Sequence, residues 1–190
     1  MNSLFESRCD QITEIYNYYV DDMYTYGLYL GFEEEDVIDA IHDIFANLCE
    51  SKRDINEILN VKSFLFRSLR NRLIDIKRSM GSISFITYND SSTLFTDTQK
   101  TAEDKIIYNE DSKEIQLKIN EMLMLLSPMQ REIIYLHFIQ EQDYKHIAEI
   151  MDINYDNCRK LVYKALTTLR EKFGVLLTSL FICQMYTSTS

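Results

Sequence analysis

From Leu126 to Phe173 the chain reads LSPMQREIIYLHFIQEQDYKHIAEIMDINYDNCRKLVYKALTTLREKF, and its punctuation divides it into three helices. Ser127 is placed to cap a helix opening at Pro128, because proline costs nothing at the first helical position, and Gln130 can reach back to the cap's own amide. Ile133, Ile134 and Phe138 then recur at helical spacing. The polar run Gln140-Glu141-Gln142 interrupts that pattern, and Asp143 offers the next cap. A short second helix, about Tyr144 to Met151, carries Ala148 in its middle, where a small side chain lets a crossing helix approach. Asp152-Ile153-Asn154 follow as turn, anchor and cap. The third helix starts at Tyr155. Its apolar side is Cys158, Val162, Ala165, Leu166 and Leu169, which leaves Tyr155, Asn157, Arg159, Lys160, Tyr163 and Lys164 on or near the other face. Two helices, a tight turn and a basic helix are the plan of a helix-turn-helix, and that basic face suits phosphates and base edges.

Upstream, Ile12, Tyr16, Tyr19, Val20, Met23 and Leu30 follow a helical stripe that stops at Gly31. Glu33 to Asp36 place negative charge at the start of a second helix, whose apolar face is Val37, Ile41, Ile44, Phe45 and Leu48. After a polar loop around 51–60, a third stripe runs through Leu65, Leu69, Leu73 and Ile76. Its other face is basic: Lys62, Arg67, Arg70, Arg72, Lys77 and Arg78 outweigh Asp75, for a formal charge of about +5. Phe64 and Phe66 lie beside this face and read as core residues rather than exposed stacking platforms for bases.

Two blocks now carry a family resemblance. Pro128, Arg131, Glu132 and Ile133, followed by Tyr144, Ile147, Ala148, Glu149 and Ile150, resemble the fourth conserved region of bacterial RNA polymerase sigma factors. Asp152 stands where that family commonly has glycine and Cys158 where it has an aliphatic residue. Aspartate tolerates left-handed backbone better than most residues, and cysteine packs as a small apolar group. Asp39, His42, Asp43, Ile44 and Phe45, then Arg70, Asn71, Arg72, Ile74, Asp75 and Arg78, are similar to the second conserved region, with His42 where glutamine is frequent. Two such blocks and no third between them resemble the extracytoplasmic-function group.

The resemblance implies partners and sites. Core RNA polymerase and promoter DNA are the expected partners, together with an anti-sigma factor, in this family often membrane-bound. Asp39, His42, Asp43 and Phe45 are expected to face or support the polymerase contact. Lys62, Arg67, Asn71, Arg72, Asp75 and Arg78 are expected to engage the minus-ten element, with the 51–62 loop capturing an extruded base. Asn154, Tyr155, Asn157, Arg159, Lys160, Tyr163 and Lys164 are expected to meet the minus-thirty-five element in the major groove. Asn157, Arg159 and Lys160 suit base edges there, whereas Tyr163 and Lys164 suit backbone.

Composition fits an all-α fold of two small helical domains joined by a flexible linker, the second containing the helix-turn-helix. The 190 residues are 46% hydrophobic and hold four glycines and one proline, too few breakers for the turns of an all-β protein. The expected organisation is a first domain over 1–79, a linker over 80–102 rich in serine, threonine and asparagine, a second domain over 103–174, and an apolar tail over 175–190. Isoleucines and methionines between Glu103 and Leu126 predict one long helix or two shorter ones opening the second domain. The net charge of −10 is concentrated at the front: the first fifty residues hold twelve acidic side chains against Arg8. An acidic front opposes unaided binding to DNA, and self-repulsion of this kind fits a protein that reaches promoters only after docking on polymerase.

Cys9, Cys49, Cys158 and Cys183 lack metal-ligand spacing, and His42, His137 and His146 fall on separate helices with no nucleophile beside them, so neither a metal, a cofactor nor an enzyme is expected. No small-molecule substrate is expected either. The tail is too short and too interrupted to span a bilayer, and folding back on the second domain is one reading, a partner surface the other. The first residues lack the pattern of a secretory signal, which predicts a cytoplasmic protein. Two rival functions remain from sequence: a helix-turn-helix regulator acting without polymerase, and a helical interaction module that has lost promoter recognition.

Overall fold

A computed structural model describes residues 2–51, 55–79 and 122–187. The chain divides into two compact units, residues 1–85 and 86–190. The described residues are all-α; the expected linker and nearly all of the helix expected ahead of Leu126 lie outside them.

In the first unit, α1 (Asn2–Tyr29), α2 (Glu34–Glu50) and α3 (Val61–Ser79) pack against one another, with a single 3₁₀ turn at Ile55–Glu57 in the loop that the sequence leaves polar. α1 ends where Gly31 takes φ 84°, a left-handed position that glycine occupies without steric cost. Glu34, Glu35 and Asp36 fill the first turn of α2 and complement its dipole, since Glu33 makes no side-chain cap. The opposite end of α2 carries no basic residue. Arg8, from α1, supplies that charge: its guanidinium donates to the Leu48 carbonyl at 2.9 Å and to the Ser51 carbonyl.

The core is the expected stripes brought together. Met23 and Tyr26 of α1, Val37, Ala40 and Ile41 of α2, and Leu65, Phe66, Leu69 and Leu73 of α3 are all 2% exposed or less. Tyr26 stacks on Phe66 with ring centroids 4.9 Å apart, and Tyr16 meets Phe45 edge-on at 5.0 Å. Phe66 is therefore core as expected, while Phe64 is half-buried.

Gly27 lets α1 and α2 cross closely. A Cβ there would lie 2.6 Å from Val37 Cγ1, closer than real contacts allow. Gly27→Ala gains about 1 kcal/mol of helix propensity but overpacks a stiff, buried valine, which typically costs about 1–3 kcal/mol. We expect overpacking to win by about 1 kcal/mol and the thermal midpoint to fall by about 4–8 °C. A raised midpoint would mean that the helices part without strain.

In the second unit, α4 (Pro128–Ile134) opens with the expected capping box: the Ser127 hydroxyl accepts from Gln130 N–H at 3.3 Å, and the Gln130 side-chain oxygen accepts from Ser127 N–H at 2.9 Å. α4 then widens into a π turn over Tyr135–Ile139, which the regular spacing of Ile133, Ile134 and Phe138 does not reveal. The polar run after it is also not a solvated break. Gln140 and Gln142 are buried, Gln140 donating to the Tyr135 hydroxyl at 3.2 Å and Gln142 to the Gln140 carbonyl at 2.9 Å.

Asp143 caps α5 (Tyr144–Met151) by accepting from His146 N–H at 2.8 Å. Asp152 then takes φ 55°, ψ 47°, the left-handed turn that the sequence assigns to it, and Ile153 N–H closes the end by donating to the Ala148 carbonyl at 3.0 Å. α6 (Tyr155–Thr187) packs on both α4 and α5. Its path breaks at Gly174, φ 76°, so residues 175–187 of the tail form a further helical segment, with Thr178 buried at 1% exposure and its hydroxyl donating to the Gly174 carbonyl. Among the described residues no helix is long and apolar enough to cross a membrane.

Candidate nucleic-acid interface

The start of α6 is built from its cap outward. The Asn154 side-chain oxygen accepts from Asn157 N–H at 2.7 Å, which sets the helix end and engages one of the groups assigned to DNA; its side-chain NH₂ stays in the exposed position. Tyr155 is 49% exposed and its ring meets Tyr144 edge-on at 6.3 Å, while Tyr144 stacks on His137 at 4.7 Å. Tyr155 thus joins α6 to α5 and the π turn as well as bordering the exposed face. His137 is held there by donating from Nδ1 to the Gln142 carbonyl at 3.0 Å.

Beyond these two residues, Cys158, Val162, Ala165 and Leu169 are buried, and Asn157, Arg159, Lys160, Tyr163 and Lys164 are exposed as the helical phase requires. Tyr163 is 70% exposed, too open for a packing role. The same face holds a residue that sequence reasoning passed over: Asp156, exposed, one turn before Lys160.

Cys158 anchors the buried side. Burial, with a smaller contribution from Asp143, pushes its thiol up to about 11 from 9.0. A raised thiol pKa contributes stability that is present below the unfolded value and lost as pH climbs from about 9 through 11. The thiolate is the reactive form, so Cys158 should resist a disulfide reagent at pH 8 until the unit unfolds, whereas exposed Cys49 and Cys183 should react at once. Immediate reaction of all four thiols would show that the second unit opens readily.

In the first unit, α3 separates the expected minus-ten residues into two groups. Arg67, Asn71, Asp75 and Arg78 recur at helical spacing on one exposed side, where Arg78 pairs with Asp75 at 3.3 Å. Arg72 and Lys62 point elsewhere. Arg72 donates to Asp43 Oδ2 of α2 from Nε at 3.0 Å and from Nη2 at 2.6 Å. Lys62 lies 3.5 Å from Asp22 of α1 and 5.7 Å above the Phe66 ring. Lys77 rests over the Phe32 ring at 5.7 Å, and burial lowers its pKa. The basic helix read from sequence is therefore partly neutralised by its own fold.

On α2, Asp39 and His42 are exposed on a seam that includes Ile38, 36% exposed, and Ala46. Asp43 is half-buried by its pairing with Arg72. Phe45 is 6% exposed against Tyr16, so its ring fixes α2 from inside and has no surface to offer a partner. Phe45 thus stands on the Val37-Ile41-Leu48 side, where it can support a contact made by α2 and not face one. Among the described residues no group of histidine, cysteine and carboxylates could hold a metal ion.

Comparison with known proteins agrees with this architecture. A family model described as Sigma-70, region 4 matches residues 116–169, the segment that contains the capping box, the Asp152 turn and the exposed start of α6. The ECF RNA polymerase sigma factor SigM of Bacillus subtilis (strain 168) is 23% identical over 163 residues, 86% of this chain and 95% of that protein. An alignment of that length exceeds either unit alone, so it extends over both. The helix-turn-helix, the region 4 match and this two-unit similarity together support a sigma-70 family sigma factor of the extracytoplasmic-function group.

Proposed function

We propose that this chain docks on core RNA polymerase and directs it to a restricted set of promoters. The observation that carries the reading is the exposed start of α6, where Asn157, Arg159, Lys160, Tyr163 and Lys164 project from a helix seated by Cys158, Val162 and Ala165. In a helix-turn-helix this is the part that enters the major groove. Unit 2 reads the minus-thirty-five element with that face. In unit 1 the exposed Arg67-Asn71-Asp75-Arg78 side of α3 meets the minus-ten element, and the Asp39-His42 seam of α2 meets polymerase.

Charge favours dependence on polymerase. Twelve acidic residues in the first fifty repel duplex phosphates, and the pairings of Arg72 with Asp43 and Lys62 with Asp22 reduce the positive potential of α3 further. The chain itself performs no chemistry in this scheme; bond formation belongs to polymerase, and the site of action is the cytoplasm. An anti-sigma factor covering either unit would be its regulator.

Run-off transcription with purified core polymerase and a library of genomic promoters, with and without the chain, tests the reading. Transcripts that appear only on its addition are the expected result. Promoter binding by the chain alone, unaffected by polymerase, would instead identify a regulator of the ordinary helix-turn-helix kind.

A further inference from the structure

The ion pair between Arg72 and Asp43 is lopsided. Arg72 donates from Nε at 3.0 Å and from Nη2 at 2.6 Å, and both hydrogen bonds end on Asp43 Oδ2. Asp43 Oδ1 takes part in no hydrogen bond among the described residues. A carboxylate can accept on both oxygens, so half of this one is left over. The side chains of Arg72 and Asp43 remain 49% and 48% exposed, and ion pairs so open to water contribute little to stability. What the pair does fix is direction: two donors converging on one oxygen hold the whole carboxylate in one orientation. Asp43 stands one turn after Asp39 and beside His42, at the edge of the exposed seam of α2.

On α3, Arg72 follows Asn71 by one residue, a rotation of about 100° away from the Arg67-Asn71-Asp75-Arg78 line. To reach a phosphate it would have to give up both hydrogen bonds to Asp43. We propose that Arg72 is a positioning residue for polymerase docking, holding the Asp43 carboxylate by Oδ2 so that Oδ1 accepts a hydrogen bond from a donor side chain of core polymerase. Arg72 itself touches neither polymerase nor promoter in this scheme. Its planar guanidinium suits the task, because two donors in fixed geometry set an angle that a single lysine ammonium does not. The inference rests on the polymerase-docking reading above.

Binding of the full-length chain to immobilised core polymerase, measured as a double-mutant cycle, supplies the test. Arg72→Ala should weaken binding by about 5-fold, within the range of coupling between side chains in contact. Asp43→Ala should weaken it at least as much. Adding Arg72→Ala to Asp43→Ala should then change nothing further, because Arg72 acts only through that carboxylate. Arg72→Lys keeps the charge without the paired donors and should recover part of the loss. With core saturated, Arg72→Ala holoenzyme should keep the wild-type base preference across a promoter library randomised at the minus-ten element. Losses that simply add in the double variant overturn the assignment while leaving polymerase docking intact. Full core affinity with an altered minus-ten preference overturns it too, by returning Arg72 to DNA. Wild type that does not bind core overturns both the assignment and the reading beneath it.

Discussion

Reversing the charges of Arg159 and Lys160 together should lower holoenzyme affinity for upstream promoter DNA by about 30-fold or more at fixed salt, since each lost base contact costs roughly 1–3 kcal/mol. Both side chains are exposed on α6, opposite buried Cys158 and Val162. The thermal midpoint should therefore barely move, as surface substitutions of this kind usually stay within about 0.5 kcal/mol. If one of the two meets phosphate instead, the dependence of log affinity on log salt becomes shallower by about 0.9 for each contact removed. Core polymerase binding should be unchanged, because the proposed docking seam on α2 belongs to the other unit. A parallel loss of DNA and polymerase binding would point to misfolding. Unchanged DNA affinity would remove this face from recognition.

Phe66→Ala should be the most damaging single truncation in the first unit. Phe66 is fully buried, and its ring stacks on Tyr26 with the Lys62 ammonium 5.7 Å from its centroid, so the substitution removes a shared anchor of α1 and α3. Deleting a buried phenylalanine costs about 3–5 kcal/mol, a large part of the roughly 5–15 kcal/mol that stabilises a small domain. We expect the midpoint of that unit to fall by well over 10 °C in a thermal melt. Polymerase binding should fall with it when measured above the new midpoint. A loss below about 1 kcal/mol would mean that the Tyr26 ring and its neighbours collapse into the space.

The two variants differ in what could be foreseen. Arg159 and Lys160 are identified by periodicity alone: once Cys158, Val162, Ala165 and Leu169 are taken as the inner side, geometry leaves the cations outside. Phe66 was foreseen as core from its place beside the Leu65-Leu69 stripe, but its partner Tyr26 lies forty residues away and no local pattern names it.

Sequence by itself determined the helices and their inner faces. Gly31, Ser127, Asp143, Asp152 and Asn154 act through hydrogen bonds and backbone preferences within four or five residues, so each helix end was legible where it falls. Tertiary structure alone decided which polar groups remain available. Arg72 is drawn to Asp43 across 29 residues, Arg8 to the end of α2 across 40, and Gln140 and Gln142 are enclosed by the π turn rather than left in water. Phe45 meets Tyr16, a neighbour that no local pattern names. These outcomes depend on where helices cross and on rotations of about 100° per residue, so a phase error of one position moves a side chain from surface to interior. Periodicity shows that a helix has a buried side, and only the packed neighbour shows which borderline residues that side includes.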